Sequence, residues 1–169
     1  MKKSNNNNNQ VCLLLGSNLG NKMANIYRAE KDMGLFVNII KYSSFYESKS
    51  WGYHSENSFV NRAVLVESLD SPFELFTRLQ KLEKKIGRIK NAKKGYQDRL
   101  IDIDILTFND ECINHPKLII PHPKIAERRF TILPLLDLYN NSKIPGINKS
   151  AKHLLKYCDD RNEVKKINV

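Results

Sequence analysis

The chain has 169 residues, 41% of them apolar, and a formal net charge of +10. That length supports one packed core without disulfide staples, and the charge favours an anionic partner. The apolar runs are too short to span a bilayer, no secretory signal pattern is present, and the three scattered cysteines, Cys12, Cys112 and Cys158, lack metal-ligand spacing and read as reduced thiols, which predicts a cytoplasmic protein.

Residues 1–10, MKKSNNNNNQ, are polar and low in complexity and read as a disordered leader. Residues 11–169 read as one domain. Residues 11–15, VCLLL, form a short buried strand. The turn-rich GSNLGN at 16–21 leads into a helix capped by Asn21 or Asn18, with Met23, Ile26 and Met33 near helical spacing and Gly34 near its end. Residues 37–46 read as a strand. Residues 47–58, ESKSWGYHSENS, form a long polar loop holding the chain's single tryptophan, Trp51, which suits a lid or partner contact better than a core. Another strand covers 59–67.

Ser71, Pro72, Phe73 and Glu74 form a helix start, with Ser71 as cap, Pro72 at the first position and Glu74 completing a capping box. Phe73, Phe76, Leu79, Leu82 and Ile86 recur on one helical face, and Gly87 ends the helix. Glu83 leans onto the apolar side, where a carboxylate needs a partner or must snorkel at the stripe's edge. The basic run KKIGRIKNAKK at 84–94 passes into a basic loop over 88–98.

Residues 99–107, RLIDIDILT, carry the main chemical signal. Alternate strand residues face opposite sides, so Ile101, Ile103 and Ile105 face one way and Asp102 and Asp104 the other. Two like charges are costly to bury without a cation. Carboxylates spaced i, i+2, roughly 7 Å apart at Cβ, can share a hard cation such as Mg²⁺, which points to phosphate chemistry. Beyond them come a turn at 109–111, a short strand at 118–120, a helix from the PHP at 121–123 through Leu138, disturbed at Pro134, and a last small helix over 150–157. The order β-α-β-β-α-β predicts an α+β, ferredoxin-like antiparallel sheet with helices packed on it and additional C-terminal helices.

Four motifs in this order, LLLGSNLGN, FVN at 59–61, RLIDIDIL at 99–106 and IPHPKIAERRFTILPL at 120–135, resemble the 6-hydroxymethyl-7,8-dihydropterin pyrophosphokinase family over about residues 11–139. The resemblance implies transfer of pyrophosphate from ATP to the hydroxymethyl group of the pterin in folate biosynthesis, with AMP leaving, two Mg²⁺ ions required, a monomer and a ferredoxin-like fold. By position, the family's metal aspartates fall on Asp102 and Asp104, and its nucleotide-contacting Gln and Glu on Gln80 and Glu83. Arg88 and Arg99 fall on phosphate-binding arginines, His122 on the nucleotide-side histidine, and Arg128 on an arginine facing the catalytic loop. Phe130 and Phe59 fall on the aromatic sandwich around the pterin, Asn61 on a hydrogen-bonder at its edge, and Ser48 on a small hydroxyl residue near it. Trp51 joins this pterin set from the polar loop, and Tyr96 and Asp102 belong to it as well. Lys90 stands where an Arg is frequent, Tyr96 where Trp is frequent, and Phe59 where Tyr is frequent. The loop 47–58 lacks the paired prolines of some relatives, and the loop before Arg99 has one extra residue.

Pyrophosphoryl transfer is displacement at phosphorus, catalysed by positioning and charge stabilisation. Arg88, Arg99, Asp102 and Asp104 carry that work in this reading, with Gln80, Glu83, Lys90, His122 and Arg128 on ATP. A second reading is a basic ferredoxin-like module that binds nucleic acid. The Asp pair argues against it, because carboxylates on the sheet face repel phosphates unless a metal intervenes. A third is an inactive relative, against which the intact Asp pair and arginines also speak.

Overall fold

Val11, Leu13 and Leu15 project to one face of the first strand and Cys12 and Leu14 to the other, and all five are buried. A strand of this kind needs cover on both faces. The computed structural model, which describes residues 8–87 and 97–169, provides it. The elements are β1 (Asn9–Ser17), α1 (Lys22–Met33), β2 (Asn38–Tyr42), β3 (Phe45–Ser48), β4 (Phe59–Ser68), α2 (Pro72–Ile86), β5 (Asp102–Phe108), β6 (Ile113–His115), β7 (Leu118–Ile120), α3 (Arg129–Tyr139), α4 (Ala151–Lys156) and β8 (Val164–Ile167). The main sheet runs β5-β1-β4-β3-β8, with β2 also on β4. Its pairings are antiparallel. β6 and β7 form a separate hairpin. The result is a mixed α/β fold with an antiparallel sheet and, among the described residues, four helices, none of them long and apolar enough to cross a membrane.

The two sheet faces have different cores. Under α1 and α2 lie Leu13, Leu15, Ile103 and Ile105 with Ile26, Met33, Leu75 and Leu79. On the opposite face, Cys12, Leu14, Ala63, Leu65 and Leu106 pack with Ile132 and Leu135 of α3 and Leu154 of α4. α3 covers only part of that face. Two residues further along each strand, on the same side, Leu14 gives way to Gly16, Ala63 to Asn61, and Leu106 to Asp104 and Asp102. This uncovered end of the sheet is where the polar groups collect.

Several elements differ from the sequence reading. Asn9 and Gln10 are not part of a disordered segment but pair with Ser68 and Glu67 in the β1–β4 ladder; residues 1–7 lie outside the described residues. The strand at 37–46 breaks in two at Ser43 and Ser44. There the Ser43 N–H donates to Ala63 O at 2.9 Å, and the Ser44 N–H leaves the ladder for Asp137 Oδ2 at 2.9 Å. Asn21 caps α1 by accepting the Ala24 N–H at 3.1 Å, which leaves Asn18 for another task. The capping box of α2 forms, with Glu74 Oε2 accepting the Ser71 N–H at 2.9 Å and the Ser71 hydroxyl at 2.6 Å. Phe73 is 41% exposed and Leu75 takes the core position instead, since the box turns the first helical residues outward. The helix after the PHP begins at Arg129, not Pro123: residues 122–127 form turns, and Asp160 Oδ2 accepts the Arg129 N–H at 3.0 Å. β8 has no strong apolar alternation and was invisible as a strand; it is held by its ladder with β3.

Candidate active site

β5 brings Asp102 and Asp104 to the open end of the sheet, opposite Gly16 and Leu14 of β1. Both side chains keep some solvent contact, at 25% and 33% exposure. Arg99 Nη1 lies 2.9 Å from Asp102 Oδ1. Burial, then the negative charges of Asp102 and Glu83, push the Asp104 carboxyl above the usual carboxylate range, while Arg128 and Arg99 oppose them. His122 Nε2 stands 4.0 Å from Asp104 Oδ2. Burial and the neighbouring Arg128 hold that imidazole down to about 4, so it is neutral at pH 7 and can accept or donate one hydrogen bond.

Beside the aspartates is a cavity with an apolar wall and a polar floor. Ser48, Trp51, Phe59, Asn61, Arg99, Asp102, Asp104, Arg128 and Phe130 all line it, together with Leu14, Gly16, Lys49 and Tyr53. Ser48 and Asn61 are buried, and the Asn61 amide donates to Ser48 Oγ at 3.4 Å. Gly16 permits this floor: a Cβ there would sit 2.8 Å from Asn61 Oδ1. The buried Arg128 reaches in from the start of α3, its guanidinium 4.7 Å from the Trp51 ring centroid and 5.8 Å from that of Phe130. An aromatic-walled slot with a buried amide at its base suits a flat heterocycle with donor and acceptor edges.

A second cavity lies on the other side of Asp104. It is lined by Phe76, Ile103, Ile105, residues 116–119, His122 and Pro123, and shares Asp104 with the first. His122 lines this second cavity and not the first. Phe76, Lys117 and Ile119 were not anticipated there; Lys117 and Ile119 come from the β6–β7 hairpin region, whose contact with the site no local pattern signals. Gln80 is half-buried one helical turn beyond Phe76 and lines neither cavity. Glu83 is buried and accepts the Ile103 backbone N–H on Oε1 at 2.7 Å, behind the strand that carries the aspartates. Arg88, Lys90 and Tyr96 lie outside the described residues. Tyr53 and Gly16 escaped the sequence reading, although both sit in segments it singled out as polar loop and turn.

A family model described as 7,8-dihydro-6-hydroxymethylpterin-pyrophosphokinase (HPPK) matches residues 12–140. The chain belongs to this family. It is 38% identical over 142 residues to the 2-amino-4-hydroxy-6-hydroxymethyldihydropteridine pyrophosphokinase of Aquifex aeolicus, covering 84% of this chain and 88% of that one. The Bacillus subtilis pyrophosphokinase of the same name is 36% identical, with 78% of each chain covered. The fold is that of the HPPK-DHPS structure from Plasmodium falciparum with SDX-DHP, at a TM-score of 0.70 and 17% identity over 91% of this chain; the match spans 46% of that longer protein.

The donor set of this HPPK-family site fits the Mg²⁺ that the sequence resemblance implies. Mg²⁺ is usually held by one or two carboxylates, with waters and substrate phosphates completing the octahedron. Asp102 and Asp104 offer two hard oxygen donors on one strand face, and among the described residues no third acidic, histidine or cysteine side chain closes them into a protein cage. A cation there would also offset the neighbouring carboxylates, which with burial raise the Asp104 pKa.

Proposed function

We propose that this chain transfers a diphosphate group from ATP to the hydroxymethyl group of 6-hydroxymethyl-7,8-dihydropterin, releasing AMP, as a step of folate biosynthesis. The observation that carries this reading is the shared wall: Asp104 borders both the aromatic slot and the second cavity. A pterin in the first and the nucleotide in the second meet at the aspartates. Phe59 and Phe130 stack the pterin ring, and Asn61 reads its edge. His122 faces the nucleotide. The order of the main strands, β5-β1-β4 followed by β2 and β3, supports the ferredoxin-like form of the fold.

In the reaction the pterin hydroxyl oxygen bonds to the β-phosphorus, the bond from that phosphorus to the α-β bridging oxygen breaks, and the hydroxyl proton is lost to solvent. Asp102 and Asp104 are the residues that would hold Mg²⁺, two ions by the family resemblance. When bound, the metal neutralises phosphate charge and acidifies the attacking hydroxyl. Arg99 and Arg128 stabilise charge that accumulates on the phosphate oxygens. The 49–58 loop, with Trp51, excludes water, which is the competing nucleophile.

Incubation of the protein with ATP, Mg²⁺ and the hydroxymethyl dihydropterin tests this. AMP and the pterin diphosphate are the expected products. ADP in place of AMP, or no pterin-dependent turnover, overturns the reading.

A further inference from the structure

We propose that Asp98 is a positioning residue that holds the 50–58 loop over the aromatic slot, and so sets affinity for the pterin without setting affinity for ATP. The inference rests on the assignment of that slot to the pterin.

Asp98 is one residue before Arg99 and lines neither cavity. Its carboxylate instead gathers four donors from two separate loops. Oδ1 accepts from Asn18 Nδ2 at 2.7 Å, the Tyr53 hydroxyl at 3.1 Å and the Ser55 hydroxyl at 2.7 Å. Oδ2 accepts from Asn57 Nδ2 at 2.6 Å. Three of these donors crowd Oδ1 and one takes Oδ2, so most of the carboxylate's roughly four acceptor positions are engaged. All four donors are neutral, and bonds from neutral donors to a carboxylate gain strength from its charge.

The same junction fixes Arg99. The buried Asn18 accepts the Arg99 N–H at 2.7 Å and donates its own N–H to Arg99 O at 3.1 Å. Within the loop, Ser50 Oγ donates to Tyr53 O at 2.6 Å and accepts the Ser55 N–H at 3.2 Å, so residues 50–55 form one tied turn. At the far end, Lys22 Nζ grips Ser58 O at 3.0 Å and Ser58 Oγ at 2.7 Å. Between these anchors Asp98 accepts three hydrogen bonds from the middle of the turn, and Asn18 Nδ2 adds a longer one to the Tyr53 hydroxyl at 3.5 Å. Trp51 and Tyr53, which this turn carries, line the aromatic slot and not the second cavity. Losing the tie therefore loosens the pterin wall, while the two Asn18 bonds to the Arg99 backbone, which do not pass through Asp98, keep the phosphate-side arginine in place.

The test compares wild type with Asp98→Ala, Ser55→Ala, Asp98→Asn and Asp98→Asn combined with Asn57→Asp. Steady-state assays give kcat and the KM of each substrate. Acrylamide quenching of Trp51, the single tryptophan, reads the loop without any substrate. Asp98→Ala is expected to raise pterin KM about tenfold, with ATP KM within about twofold of wild type, and to steepen Trp51 quenching. Ser55→Ala, which removes one of the four contacts and leaves the carboxylate, shows the same pattern in smaller measure and stands in if Asp98→Ala does not fold. Asp98→Asn sets one amide against another at Asn57, and Asn57→Asp restores the complement, so the double variant recovers pterin KM relative to Asp98→Asn. Unchanged pterin KM and quenching in Asp98→Ala, or equal rises in both KM values, overturn the proposal. If wild type itself forms no AMP from the pterin, the slot assignment fails instead, and the quenching comparison still decides whether Asp98 holds the loop.

Discussion

Glu83 Oε1 accepts the backbone N–H of Ile103 at 2.7 Å, and Ile103 is the residue between the two aspartates. β5 is an edge strand of the main sheet, so this N–H needs a partner from outside the ladder. A buried helical carboxylate supplies it and ties α2 to the strand that presents Asp102 and Asp104. The cost is a third negative charge near Asp104. Glu83→Gln keeps an acceptor and removes that charge; it should fold and retain most turnover. Glu83→Ala strands the N–H and should lose about 1.5–3 kcal/mol of stability, with a larger drop in turnover. Chemical denaturation and the AMP assay together check both, and equal behaviour of the two variants contradicts the strand-anchoring role.

Asp102→Ala and Asp104→Ala should each cut turnover by at least about a hundredfold at saturating Mg²⁺, with the fold intact, because both groups sit at the uncovered end of the sheet. A separate thermal measurement is diagnostic. The raised carboxyl of Asp104 means that its charge disfavours the metal-free fold. Without Mg²⁺, Asp104→Asn should melt no lower than wild type. With Mg²⁺ and a nucleotide, wild type should gain in Tm and the variant should not. Near-normal activity in either alanine variant refutes the metal assignment.

Gly16 is needed for close approach and not for an unusual backbone angle. Its missing Cβ leaves room for Asn61 Oδ1, which would be 2.8 Å away. Gly16→Ala must displace the buried amide at the base of the slot. A misplaced contact of this kind costs roughly ten- to a hundredfold in kcat/KM for the pterin, while ATP affinity should stay near wild type. Direct binding of each substrate by calorimetry distinguishes this from general misfolding, and an unaltered pterin affinity rules it out.

Asp137 joins α3 to the sheet far from the chemistry. Burial acts to raise its pKa, but the Ser44 N–H at 2.9 Å, the Tyr46 hydroxyl at 3.0 Å and Lys166 outweigh it and hold the carboxyl below the usual range. A depressed carboxyl stabilises the fold above its unfolded value, about 3.9, and that contribution is lost as pH falls through the lower folded value. Asp137→Asn should therefore melt below wild type at pH 7, by about 1–2 kcal/mol. The gap should close below about pH 4. A gap that is constant from pH 7 to pH 3 argues against a charge effect.

Much of the site was legible because its chemistry is local. The alternation in IDIDIL separates Ile103 and Ile105, buried on one face, from Asp102 and Asp104 on the other, and a period of two needs no tertiary information. The capping box at Ser71 and Glu74 is a contact over three residues. Ser48, Trp51, Phe59, Asn61 and Phe130, assigned to the pterin from the resemblance and the polar loop, line one cavity, and Arg99 and Arg128, assigned to ATP, line that cavity too and not the second.

Other features depend on what packs against a residue, and sequence spacing does not carry that. Leu106 and Asp104 share one sheet face, yet one is core and the other is site, because α3 covers the first and stops short of the second. Asn18 reads as one of two alternative helix caps; Asn21 takes that place and Asn18 meets Asp98, 80 residues away. Glu83 reads as a stripe-edge carboxylate until Ile103 arrives across 20 residues. By itself the sequence determined which side chains are available and on which face of a strand or helix each stands, since backbone geometry sets those periods. Only the tertiary structure decided which of those faces are covered and which polar groups find partners, because desolvation and hydrogen bonding are settled by neighbours distant in the chain.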